Sequence, residues 1–216
     1  MYVEELIVGN DPGCIIVQPT ARHEAEALPE ETALISSLTN SSFIVCFVHV
    51  DDWTGDLIPW PDSKITKDSE AGKRAKDTLD YILEDILPAH PGLPVIIGGY
   101  SLAGLFALWA STKTSRFAAV AAASPSLWIA GWDSYAQEHT TLARYVYLSL
   151  GDREEISRNP AIARIGNRVR EQYGLLQGSL GDACCTLVME QGGHFTDNAA
   201  RLARAFAWAV CKLTNN

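Results

Sequence analysis

Short, almost wholly apolar runs alternate along this chain with longer stretches of helical period, and no other feature restricts the fold as much. Phe43-Ile44-Val45-Cys46-Phe47-Val48 has no polar side chain for either face, so as a strand it must be covered on both sides. Phe43–Val50 is therefore a buried strand, and similar runs at 14–18, 93–98, 118–123, 145–150 and 184–189 predict more, with a weaker one near 4–8. Between them, Ala75, Leu79, Ile82, Leu83, Ile86 and Leu87 share one face of a helix that stops at Pro88. Asn159-Pro160 supplies an N-cap and a proline for the first helical position, and Ile162, Ile165, Val169 and Leu176 continue that stripe. A last helix runs from about Asp197, with Leu202, Ala205, Phe206, Ala209, Val210 and Leu213 facing inward. Repeated βα units predict an α/β fold: a mostly parallel central sheet, right-handed crossovers and helices on both faces. With no linker and no internal repeat, residues 1–216 read as one domain.

Composition then narrows the function. Lys and Arg number 17 against 26 Asp and Glu, a formal charge of −9, and the basic residues are scattered. Lys73, Arg74 and Lys76 read as the solvated face of a helix. Nucleic acid needs a clustered positive surface, so it is not an expected partner. No run approaches the ~18–20 apolar residues that cross a bilayer. Met1-Tyr2-Val3-Glu4-Glu5 lacks the basic and apolar regions of a signal peptide, so a cytoplasmic protein with no membrane partner is expected. The cysteines, Cys14, Cys46, Cys184, Cys185 and Cys211, form no Cys-x-x-Cys pair and predict neither disulfides nor a metal site.

In a parallel α/β sheet, chemistry collects where strands end at their carboxyl side. Ser101 stands at such a place, between the strand ending near Gly98 and a helix opening with Leu102-Ala103-Gly104. A serine on so sharp a turn is strained and needs small neighbours, and Gly99 at −2 and Ala103 at +2 match the Gly-x-Ser-x-Gly elbow with alanine as the second small residue. The turn exposes Oγ at the positive end of the helix, where the Leu102 N–H is placed to stabilise an oxyanion. A serine N-cap without catalytic duty is the bland alternative.

Of five histidines, His90 in a Pro-rich turn, His139 in a polar segment and His49 inside a strand read as structural or solvated. His23 follows an early strand but carries no motif. His194 follows the final strand through Gln191-Gly192-Gly193 and precedes the last helix, where this architecture returns a base to the serine. Two glycines let the chain bend there. Imidazole suits the task because it exchanges protons near neutrality, and a carboxylate must fix its tautomer. Gly151-Asp152-Arg153-Glu154-Glu155 offers Glu154, with Asp152 as the alternative acid and Asp133 a more remote one.

Four segments resemble the esterase D-like branch of the α/β-hydrolases, which includes enterochelin esterase-like and feruloyl esterase-like members. They are Gly98-Gly99-Tyr100-Ser101-Leu102-Ala103-Gly104-Leu105, Asp56-Leu57-Ile58-Pro59, Ser124-Pro125-Ser126-Leu127-Trp128 and Gly192-Gly193-His194-Phe195. The resemblance implies an α/β-hydrolase fold and an acid three residues after a glycine, which fits Gly151 to Glu154. It also implies a His-Gly oxyanion segment that is absent here. Gln18-Pro19-Thr20 stands in its place, leaving the Thr20 backbone or the Gln18 amide as second donor because Pro19 has no N–H. The short chain leaves little room for a lid.

Trp53, Trp60, Trp128 and Trp132 fall in loops on the catalytic side; Trp53, Trp60 and Trp128, with Tyr100, are candidate pocket walls for an apolar ester. Asp51, Asp52 and Asp56 on the same rim read as loop caps or anion-repelling charges. The expectation is a serine hydrolase cleaving a small-molecule carboxylic ester through an acyl-enzyme on Ser101, with no cofactor. A thioesterase or acyltransferase would share the machinery, and a non-catalytic binding protein would share the fold.

Overall fold

The computed structural model describes residues 1–61 and 71–214, with His23 described by its backbone alone. Seven strands form one sheet in the order β1-β3-β2-β4-β5-β6-β7. They are β1 (Tyr2–Val8), β2 (Ile15–Ala21), β3 (Phe43–Val50), β4 (Val95–Tyr100), β5 (Phe117–Ala123), β6 (Tyr145–Gly151) and β7 (Cys185–Glu190). All neighbours are parallel except β1, which closes one edge antiparallel to β3. That edge strand carries Glu4 and Glu5, charges that discourage pairing with another sheet.

Alternation along the strands sorts the core into two layers. Ile15, Val17, Ile44, Cys46, Val48 and Ile97 face one side, under α3 (Ala75–Tyr81), α4 (Leu102–Ala110) and α6 (Ile165–Leu180). Ile16, Phe43, Val45, Phe47 and Ile96 face the other, under α1 (Leu28–Leu38) and α7 (Asn198–Thr214). Every residue of β2, β3 and β6 is buried, as their apolar runs require. On the α7 side, β5 presents Ala119, Ala121 and Ala123, so α7 settles close to the sheet. A Cβ on Gly98 would lie 2.5 Å from the Phe206 ring.

Among the boundaries that differ from the sequence reading, three stand out. The fourth strand runs to Tyr100 rather than Gly98, because Gly98 and Gly99 pair with Ala121 and Ala122 where little side-chain room exists. The helix opening at Ala75 does not end cleanly; it widens over 82–86 and tightens over 87–89, taking Pro88 into the last turn. Asn159 accepts from the Ala161 N–H, but a tight turn at 162–164 intervenes and the α-helix starts at Ile165.

β2 has strand neighbours on both sides only over Ile15–Val17; beyond that it pairs with β3 alone, which tolerates Pro19. The chain winds one way from β2 to β3 and the other way from β4 onward, so a crevice opens between the carboxyl ends of β2 and β4. Among the described residues, no helix is long and apolar enough to cross a membrane.

Phe206 is fully buried against the sheet. Phe206→Ala is expected to lower unfolding free energy by about 3–5 kcal/mol, read from urea denaturation. A loss below about 1 kcal/mol would mean that α7 does not hold this layer together.

Candidate active site

Ser101 leaves β4 with φ 57° and ψ −114°, a conformation that L residues adopt only when held. It is held on both sides of its peptide. Its N–H donates to Ala123 O at 3.0 Å, and its C=O accepts from Ser126 and Leu105 N–H at 3.0 and 3.1 Å. The small neighbours are a packing requirement, since a Cβ on Gly99 would sit 2.4 Å from that of Ala103. Leu102 N opens α4, in the first turn where N–H groups lack an intrahelical acceptor.

Four adjacent strand ends converge on this serine. His194 Nε2 lies 3.1 Å from Ser101 Oγ, and His194 Nδ1 lies 2.7 Å from Glu154 Oε2. Glu154 is buried, and its Oε1 accepts from Ser124 Oγ at 2.7 Å, Gly151 N–H at 2.7 Å and Arg201 Nη1 at 3.2 Å. Burial pushes this carboxyl up, yet the hydrogen bonds from His194, Ser124 and Gly151 outweigh it and hold the acid below the ordinary carboxylate range. Arg201 also donates to Gln191 O at 2.8 Å and to the Tyr100 hydroxyl at 3.2 Å, and that hydroxyl donates to His194 O at 2.7 Å.

The alternative acids have other partners. Asp152 accepts from Gly192 N–H at 2.8 Å, which ties the loop after β6 to the histidine loop. Asp133 pairs with Arg168 at 2.9 Å. Of the two glycines before His194, only Gly192 takes the left-handed turn, at φ 104°.

Sequence reasoning gave no role to Ser124, Ser126 or Arg201. Ser126 Oγ lies 3.0 Å from Ser101 Oγ, and Ser124 turns at φ 44° to meet Glu154. These are the two serines of Ser124-Pro125-Ser126. A readable signal for Arg201 existed: it is a charge within the apolar arc of the last helix, between Asn198 and Ala205.

Two clefts flank the serine and histidine. One, of about 450 Å³, occupies the crevice beyond β2 and is lined by Gln18, Thr20, Glu31, Trp53, Tyr100 and Phe195 among others. The other, of about 500 Å³, is lined by Trp128, Arg153, Ile156, Ile162, Ile165 and Phe195 among others. Trp60 lines neither. It packs on Trp132 and Tyr135 at ring separations of 6.2 and 5.1 Å and donates to Ala130 O, so this candidate pocket wall is a loop plug. Thr20 Oγ donates to Glu24, so its hydroxyl is already engaged. The described side chains do not include that of His23.

The acidic rim is structural. Asp52 caps α2 (Trp53–Leu57), and buried Asp56 accepts from the N–H groups of Asp51 and Asp52 and from Arg74 at 2.7 Å. Arg74, read from sequence as a solvated face, is the clamp that fixes this turn and hence Trp53. Among the described residues, one group brings three different metal-ligand types within 4.8 Å: Glu5, Cys46 and His90. It lies on β1, β3 and the turn after 87–89, and lines neither cleft.

No protein-family model matches this chain, and no curated protein matches its sequence. Solved structures match over nearly its whole length. Siderophore hydrolase EstB from Aspergillus nidulans has a TM-score of 0.70 at 20% identity, covering 96% of this chain and 85% of that one. Siderophore hydrolase EstA from the same organism has a TM-score of 0.67 at 17% identity, covering 96% and 94%. The enterobactin esterase FES from Shigella flexneri has a TM-score of 0.68 at 17% identity, but this chain spans only 55% of it. At these identities the shared property is the fold, and the chain adopts the α/β-hydrolase fold.

Burial raises the Glu31 carboxyl from its ordinary 4.5 to about 7, with the Glu24 charge adding and a hydrogen bond from Gln18 opposing. Between these values the native chain keeps a proton that the unfolded chain has lost, so stability falls as pH rises through that window. Glu31→Gln has no such proton to lose. Its stability relative to wild type is expected to improve by about 3 kcal/mol from pH 4 to pH 8 in urea denaturation, and parallel profiles would refute the burial cost.

Proposed function

We propose that this protein is a serine hydrolase of small carboxylic esters. The observation that carries the reading is the unbroken chain from Ser101 Oγ through His194 to Glu154, at 3.1 and 2.7 Å, opening onto two clefts. Solved neighbours named as hydrolases and esterases support ester cleavage as the reaction class.

In this reading His194 Nε2 takes the hydroxyl proton as Ser101 Oγ attacks the acyl carbon. Glu154 accepts from Nδ1–H, fixes the tautomer and stabilises the imidazolium, and its lowered acidity range keeps it ionised wherever the histidine works. The oxyanion forms at the start of α4, where the Leu102 N–H donates, and the Gln18–Thr20 end of β2 supplies the second donor from the facing wall. His194 returns the proton to the leaving alcohol. Water then repeats the cycle on the acyl-enzyme and frees the acid. Ser126 Oγ holds the nucleophile's hydroxyl in place between turnovers. Each wall of the reaction thus comes from a residue of this chain.

Hydrolysis of short p-nitrophenyl esters tests the reading. Ser101→Ala is expected to lower kcat by roughly a factor of 10,000 or more. Equal turnover by variant and wild type would overturn it. Fluorophosphonate labelling is expected at Ser101 in wild type and nowhere in the variant.

The acid is tested by comparing two near-isosteric changes. Glu154→Gln is expected to cost on the order of 100- to 10,000-fold in kcat, because the amide presents a donor where Nδ1–H needs an acceptor. Asp152→Asn, which loosens only the loop contact to Gly192, is expected to cost less than about tenfold. The reverse order would make Asp152 the acid.

A further inference from the structure

Ser101 and His194 line both clefts, and the two clefts differ in chemistry. The cleft beyond Trp128 is walled by Ile156, Ile162 and Ile165, with Arg153 at its side. The cleft beyond β2 holds two carboxylates, Glu24 and Glu31, and no lysine or arginine among the described residues that line it. An ester bound across the serine therefore places one half in an apolar setting and the other in an acidic one.

Residues that line the acidic cleft also carry unpartnered polar atoms just beneath its surface. Gln18 is 4% exposed and Glu31 is 7% exposed, yet Oε1 of each has no hydrogen bond, and neither has Oδ1 of Asn198 at the start of α7. Buried acceptors left unpaired cost free energy, so three of them around one open cleft point to a ligand that satisfies them. The two amide oxygens are acceptors and the Glu31 carboxyl is one once ionised, so their complement is a donor. Burial has raised the Glu31 carboxyl to about 7, and a bound cation would restore its ionised form. Trp53 and Tyr100 line the same space, and aromatic rings attract cations.

We propose that this cleft is a subsite for a protonated primary amine carried on one half of the substrate. An ammonium brings three N–H donors and a positive charge, whereas a hydroxyl brings one donor and no charge. An anionic group would face Glu24 and Glu31 without a counter-charge. Which half of the ester carries the amine does not affect this recognition, because both halves radiate from Ser101. The proposal rests on the hydrolase reading only in calling the ligand a substrate; the subsite itself is defined by binding.

Calorimetric titration of the full chain at about pH 8 with hexan-1-amine and with hexan-1-ol separates charge from chain length. The amine is expected to bind at least about tenfold more tightly. Glu31→Gln is expected to reduce that preference below about threefold, and Asn198→Ala to weaken the amine without affecting the alcohol. Should either variant fail to fold, shown by loss of its cooperative melt, the other carries the comparison. Equal affinities in wild type, or a preference that survives in the folded variants, would overturn the subsite. Turnover of p-nitrophenyl acetate by wild type is measured alongside. Hydrolysis without amine preference sinks the subsite alone, while amine binding without hydrolysis sinks the esterase reading alone.

Discussion

The rest of the site hangs on one buried charge, the Glu154 carboxylate. An ionised group at the edge of an apolar core is tolerated only when its oxygens are filled with donors. Here the donors come from four parts of the chain: His194 after β7, Ser124 after β5, Gly151 at the end of β6 and Arg201 on α7. Satisfying the carboxylate therefore fixes the histidine, the turn after β5 and the docking of the last helix together. Arg201 compensates the charge and, through Tyr100 and the carbonyls of Gln191 and His194, braces the loop that carries the imidazole.

That carboxylate also explains the division of labour within Gly151-Asp152-Arg153-Glu154-Glu155. Glu154 points inward. Asp152 faces the neighbouring loop and takes the Gly192 N–H, and Glu155 pairs with Arg170 on the outside. Three carboxylates within four residues thus perform three different jobs. A Cβ on Gly151 would lie 2.4 Å from Gly192 O, so the two loops approach as closely as backbones can. Close approach is what lets Glu154 beyond one strand end reach His194 beyond the next.

How much of this was legible in the sequence follows from which interactions are local. The buried strands and the serine turn were readable, because apolar runs, small residues and the strand-to-helix order are local patterns. The glutamate was readable only as one choice in a loop, since which carboxylate turns inward depends on Gly192, far along the chain. Trp60 was misread for the same reason: a loop tryptophan looks alike whether it faces a cleft or, as here, Trp132 and Tyr135. Arg74 looked solvated because its partners, Asp52 and Asp56, lie about twenty residues upstream. The start of α6 was placed too early because a cap and a proline permit a helix at Asn159, while packing sets where it begins.

The site's geometry is an extension of the sheet rather than an addition to it. Past the end of β4, Ser101 N–H donates to Ala123 O; past β5, Ser124 N–H donates to Ser149 O; past β6, Asp152 N–H donates to Glu190 O. Each bond continues the parallel ladder one step beyond its strand, so consecutive strand ends bring Ser101, Ser124, Glu154 and His194 side by side. Strands in a sheet stand about 4.8 Å apart, a spacing that side chains as short as serine and as long as glutamate bridge with single hydrogen bonds. The register of the ladder is set by packing in the two core layers, where a slip of one residue would send every side chain to the opposite layer. The same apolar runs that dictate the fold therefore fix, to within a hydrogen bond, where Ser101, His194 and Glu154 meet.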